Sequence, residues 1–181
     1  MKRIVFLTAL VLLPIAGFAQ FQVGLAGFYN PLLSGADLQG GFDLSDISVA
    51  AEFRATRQAL QTGFLAGFTP GSPEIAQGTI DVIADLGIVL DLTILKIGIG
   101  AGPDIRWDLS QSGQAFGHGA NLKLTVDFAV GAMGLGVTAL ARTEFDFSGA
   151  ESPLDRTSGW VGISVLLNLA ALSADPPGAT E

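Results

Sequence analysis

The segment NLKLTVDFAV (121–130) alternates without interruption. Leu122, Leu124, Val126, Phe128 and Val130 fall on one phase; Asn121, Lys123, Thr125, Asp127 and Ala129 fall on the other. Successive side chains of a strand point to opposite faces, so the pattern predicts a strand with one oily and one wet face. The same alternation predicts eight strands, at about 20–30, 47–57, 60–68, 81–92, 95–107, 119–130, 133–147 and 159–169. Their oily phases carry Val23 and Leu25, Val49 and Phe53, Leu60 and Phe64, Leu86 and Ile88, Ile97 and Ile99, Leu135 and Val137, and Ile163 and Val165. Only the phase of Trp160 is left open, because by parity it opposes the apolar set of its own strand.

The connections alternate as well. Segments 31–46, 69–80, 109–119 and 148–159 are long and rich in Gly, Ser, Pro and Asp, the residues of turns and loops. The joins near 58–59, 93–94 and 131–132 are so short that they predict tight hairpins. Long loops at one end and short turns at the other form the pattern of an up-and-down transmembrane barrel. The fold class expected is therefore all-β, an eight-stranded antiparallel up-and-down barrel over 20–169, followed by a flexible tail over 170–181 in which Pro176, Pro177 and Gly178 cannot continue a ladder.

Alternation alone does not say whether the oil faces a core or lipid. Three features choose lipid. The wet phase is sterically small, with Gly24, Gly63, Gly87, Gly98, Gly100, Gly102, Gly134 and Gly136 among its members. An eight-stranded barrel has an interior just wide enough for side chains to fill, so small residues beside a few long charged ones suit it. The strand charges also share that phase: Glu52, Arg54, Asp85, Asp91, Lys96, Asp104, Arg106, Lys123, Asp127, Arg142, Glu144 and Asp146. These are expected to form a charge network in the lumen, since buried charges persist when paired and hydrogen-bonded. Finally, aromatic residues on the oily phase gather near strand ends, with Tyr29, Phe68, Trp107, Phe145 and Phe147 towards the long loops and Phe21, Phe53 and Phe128 towards the short turns. Two such girdles mark the two membrane interfaces.

Composition adds the compartment. The chain of 181 residues opens MKRIVFLTALVLLPIAGFAQ: two basic residues, an apolar run, then the small residues Gly17 and Ala19. That is the layout of a secretory signal peptide over 1–19, with cleavage expected after Ala19. Without Lys2 and Arg3, seven basic residues (9 − 2) face 17 acidic ones, a net charge of −10. Such a balance excludes nucleic acid as a partner, because phosphates need a basic surface. The absence of cysteine excludes a disulfide framework and thiolate metal sites.

This layout of strands and loops resembles the small eight-stranded outer-membrane barrels of the OmpA/OmpX-like superfamily, over about residues 20–169. The resemblance implies export, insertion into the outer membrane by the barrel assembly machinery, contact with outer-membrane lipid, and a structural, adhesive or defensive role. The chain departs from it at the end of the last strand, where GWVGISVLLNL carries no terminal aromatic and a dozen residues follow.

No motif adds chemistry. The single histidine, His118, is read as a loop residue in AFGHG. Lipid A deacylases on similar barrels pair a His with a Ser two residues on, but here Ala120 holds that place. One His and no Cys do not make a zinc site. GIGAGP (98–103) has a glycine spacing without the following helix of a nucleotide loop, and reads as small lumen residues. Asp43 and Asp46 are too ordinary a pair to mark a calcium site. The expectation is a barrel without cofactor, metal or catalytic residue, with a structural or surface-interaction role and an extracellular ligand met through the four long loops. The other readings, in order, are a small channel, an outer-membrane lipid-modifying enzyme and a soluble periplasmic ligand-binding barrel.

Overall fold

The computed structural model describes residues 20–29, 46–71, 78–109, 115–145 and 157–172. The predicted signal peptide, Asp146, Phe147, the loop residues 30–45, 72–77, 110–114 and 148–156, and the predicted tail beyond 172 lie outside these residues. Eight antiparallel strands close into one barrel in sequence order: β1 (Gln20–Tyr29), β2 (Ile47–Arg57), β3 (Leu60–Thr69), β4 (Thr79–Asp91), β5 (Leu95–Asp108), β6 (Ala115–Val130), β7 (Met133–Glu144) and β8 (Thr157–Asn168). Closure comes from β1 pairing with β8, with Gln22 opposite Asn168 and Tyr29 opposite Val161. Among the described strands no edge is left free, and each ladder finds its backbone partners within the barrel.

One ladder row runs Phe21, Ala55, Thr62, Leu86, Ala101, Leu122, Ala141, Gly159. Across the seam, Gln22 faces Asn168 and Val23 faces Leu167, so Phe21 projects onto position 169. The row therefore returns ten residues away from where it started (169 − 159), which sets a strongly tilted, narrow barrel whose interior side chains can fill.

Three tight turns join the strands at one end. Gln58 (φ 54°), Thr93 (φ 74°) and Gly131 (φ 62°) take the left-handed conformation that each reversal needs. At the turn after β4, the Asp91 carboxylate accepts a hydrogen bond from the Thr93 N–H at 2.9 Å, an Asx-type contact that fixes the bend.

The oily phase lies outside. Leu25, Leu86, Ile88, Leu124, Leu135 and Ile163 are all exposed, Ile163 at 72%. The wet phase lies inside: Arg54 is 0% exposed, and Lys123 and Arg142 are each 2% exposed. This is the reverse of a soluble globule, whose interior takes the apolar side chains. It places the aromatic residues Phe68, Phe128 and Phe145 on the exposed outer wall. Phe21 meets Phe53 there at 6.0 Å between ring centroids, and the half-buried Trp107 stacks on Phe116 at 5.4 Å.

Several boundaries differ from the sequence reading. β6 begins at Ala115, inside the segment read as loop 109–119, because Ala115–His118 pair with Ile105–Asp108 of β5. His118 is thus a strand residue, and the loop assignment is corrected. β4 starts at Thr79 and β8 at Thr157, each two residues earlier than read, while β7 stops at Glu144, short of 147. After Asn168 the chain turns into a short helix, α1 (Leu169–Leu172), so the expected boundary between barrel and tail at 169/170 falls within a helical turn.

Candidate functional site: a layered lumen

Inward positions along each strand are two residues apart, so the sequence of any one strand reads the lumen from end to end. On β4, running towards the long loops, those positions are Asp85, Ile83 and Asp81. On β7 they are Thr138, Leu140 and Arg142. Polar, apolar and polar levels are thereby stacked in order, and side-chain contacts from the other strands complete each level.

The lower level, nearer the short turns, is a chain of five charges. Glu52 Oε1 accepts from Arg54 Nε at 2.8 Å and from Lys123 Nζ at 3.3 Å. Arg54 Nη1 reaches across the lumen from β2 to donate to Asp127 Oδ2 on β6 at 2.5 Å. Lys123 Nζ lies 2.6 Å from Asp85 Oδ2, an ion pair whose alignment falls short of a hydrogen bond. The order is Asp85, Lys123, Glu52, Arg54, Asp127, with signs alternating throughout. Inward glycines make room for it. A Cβ on Gly63 would collide with the Asp85 carboxylate and the Lys123 ammonium, and one on Gly136 with Asp127 Oδ1 and Ser164 Oγ. Thr125, Thr138 and Ser164 bring hydroxyl groups to the same region, all buried.

The middle level is apolar. Phe28, Leu65, Ile83, Leu140 and Trp160 meet here with Ala26 and Ala50, all at most 5% exposed. A cavity of about 20 Å³ remains between these side chains and Asp81 and Arg142, large enough for one water. The structure places Trp160 inward, which settles the phase that the sequence left open.

The upper level, nearer the long loops, repeats the lower one in form. Asp81 Oδ1 accepts from Arg142 Nη1 at 2.8 Å and from Arg106 Nε at 2.9 Å. Arg142 Nη2 donates to Asp104 Oδ1 at 2.7 Å, and Arg106 Nη1 pairs with Glu144 Oε1 at 3.1 Å. The order is Asp104, Arg142, Asp81, Arg106, Glu144. Each level thus joins three carboxylates to two cations, a net charge of −1, with a carboxylate at the centre bridging both cations. The tight pairs are buried; Arg106 and Glu144 are partly exposed at the mouth.

Asp91 and Lys96 join neither chain. They pair with each other at 2.9 Å at the short-turn mouth, where Lys96 Nζ also donates to Gln20 Oε1 at 3.2 Å. Asn121, placed on the wet phase by the sequence but given no role there, donates to the carbonyl oxygens of Ala84, Gly102 and Pro103 and ties β4, β5 and β6 together from within. The inward Leu65, Ile83 and Leu140 were also missed, although strand parity places each on the wet phase.

His118 points outward, edge-on to Phe145 at 6.4 Å. Among the described residues no cluster of three or more His, Cys, Asp or Glu is arranged to hold a metal ion.

No protein-family model matches the chain, and no curated protein matches it. Among solved structures the chain is similar to the crystal structure of Neisserial surface protein A, with a TM-score of 0.57 over 82% of this chain and 95% of that one, at 14% sequence identity. At that identity the likeness is one of fold alone.

Proposed function

We propose that this chain is a bacterial outer-membrane β-barrel, exported through the segment 1–19, that is closed to solutes and serves a structural or surface-interaction role. The observation that carries the reading is the inversion of the barrel: charged side chains buried inside, and apolar side chains exposed along every strand outside. Water would not tolerate an apolar wall of that extent on a monomer, whereas lipid requires it. The same inversion disfavours the soluble ligand-binding barrel, which needs its oil inside. The likeness to a neisserial surface protein supports the same reading. The partners of the wall are membrane lipid and the barrel assembly machinery. The long connections between strands (30–46, 70–78, 109–114 and 145–156) are the elements offered to an extracellular ligand.

Closure is supported by the layering. A permeating ion would have to break two buried ion-pair chains and cross an apolar level between them, where charge is costly. A channel role ranks lower for that reason. A lipid-modifying activity would need a nucleophile beside His118, and two residues on stands Ala120.

Fractionation tests the reading. The native protein is expected in the outer-membrane fraction, starting near Gln20, and its migration on gels is expected to change on heating. Recovery of native protein from the periplasm without detergent would contradict it.

A further inference from the structure

The outer wall is not uniformly ridged. On β7 the outward positions run Met133, Leu135, Val137, Ala139, Ala141, so bulk stops after Val137. The neighbouring outward position on β8 is Gly159, opposite Ala141. Leu122 and Leu124 of β6 flank this floor on one side, and Val161 of β8 flanks it on the other. The result is an apolar groove of about 390 Å³ in the half of the wall nearer the long loops.

The row above the groove is polar. There Thr143 of β7 faces Thr157 of β8, with their hydroxyl oxygens 2.8 Å apart. One outward position further along are His118 and Phe145, in edge-on contact. The groove is thus shut at its lower end by Val137 and opens upward onto hydroxyl and imidazole groups at the level of the aromatic girdle.

We propose that this groove binds one acyl chain of a lipid in the leaflet on the long-loop side, with the ester and headgroup region of that lipid at Thr143, Thr157 and His118. The inference rests on the membrane reading above. A linear alkyl chain fits a trough one strand wide, whose outward floor positions Ala139, Ala141 and Gly159 carry no side chain beyond Cβ and whose base is completed by the inward-facing Leu140 and Trp160. A second copy related by a two-fold axis through the groove fits poorly, because that contact would set hollow against hollow and leave the floor unfilled. An aqueous ligand has no polar group to meet along the floor.

The test uses the full chain reconstituted in phosphatidylcholine vesicles that carry a trace of phosphatidylcholine spin-labelled on its acyl chain. The double substitution Ala139→Leu/Ala141→Leu fills the groove with apolar bulk that lipid accepts, and Ala141→Leu alone serves if the double variant does not fold. Val137→Leu, below the groove, is the control. The expected result is loss of the most slowly exchanging lipid component in the filled variants and its retention in Val137→Leu. An unchanged slow component in the filled variants would overturn the site. So would disulfide-linked pairs formed by Ala141→Cys chains in the vesicles, which would assign the groove to a second copy. A chain that fails to float with the vesicles would overturn the membrane reading, and this site with it, before any spin-label signal is read.

Discussion

Arg54 on β2 and Asp127 on β6 meet across the lumen through a hydrogen bond of 2.5 Å, although 73 residues separate them in the chain. Neither strand neighbours the other in the barrel, so the pair braces the interior rather than a ladder. Removing Asp127 leaves Arg54 buried with Glu52 as its remaining partner, and the lost charge-assisted hydrogen bond costs about 1.5–3 kcal/mol. Asp127→Ala is therefore expected to lower unfolding stability in detergent by about that amount. Replacing both partners with apolar residues of similar volume, Arg54→Met/Asp127→Leu, is expected to recover much of the loss. Arg57→Ala, at the exposed end of β2, is expected to change little. Denaturant titration of the three variants checks this, and equal effects at Asp127 and Arg57 would mean that the network is solvated.

Closure makes a separate prediction. In planar bilayers the native protein is expected to show no discrete conductance steps. Leu140→Ala opens the apolar level and Arg142→Ala breaks the upper ion-pair chain between Asp104 and Asp81, so the double variant is expected to leak. Leu140→Ala alone is expected to cost about 2–5 kcal/mol, as other large-to-small core changes do. Steady conductance by the native protein would contradict the closed lumen.

Inward glycines are expected to differ sharply from outward ones. A Cβ on Gly136 meets Asp127 Oδ1 and Ser164 Oγ, whereas one on Gly27 meets nothing within 4 Å. Gly136→Ala is expected to cost about 1–3 kcal/mol through overpacking. Gly27→Ala is expected to stay within about 0.5 kcal/mol of the native protein. Similar unfolding midpoints for the two variants would count against the packed lower level.

Facing can be tested energetically on the strand 121–130. Leu124→Arg is expected to cost about 2–4 kcal/mol if its level lies near the bilayer midplane. Thr125→Ser, one residue on and inside the lumen, is expected to be milder. Folding titrations into lipid vesicles measure both.

Much of this was legible in the sequence because a period of two leaves no ambiguity of face once a strand is long enough. The phase of Leu124 against Lys123 is the phase seen in the barrel. What the sequence withheld was register. That Arg54 would find Asp127, and Lys123 both Glu52 and Asp85, depends on the ten-residue stagger around the barrel, which no single strand encodes. The apolar level is hidden for another reason. Leu65, Ile83 and Leu140 share the wet phase by parity with the charges on either side, and parity alone does not separate an apolar level from a polar one. The glycines that flank His118 give a loop signal, whereas pairing of Ala115–His118 with β5 and the Trp107–Phe116 stack carry the strand further.

The most direct measurement is where a probe on the oily face finds itself. The chain has no cysteine, so Leu124→Cys and Arg57→Cys each provide a single site for a nitroxide label. In reconstituted vesicles the label at position 124 is expected to collide readily with dissolved oxygen, which concentrates in hydrocarbon, and scarcely with a water-soluble nickel chelate. The label at position 57, beside a short turn, is expected to show the reverse. A nickel chelate that reaches position 124 as freely as position 57 would mean that the oily face meets water, and the membrane-barrel reading would fail.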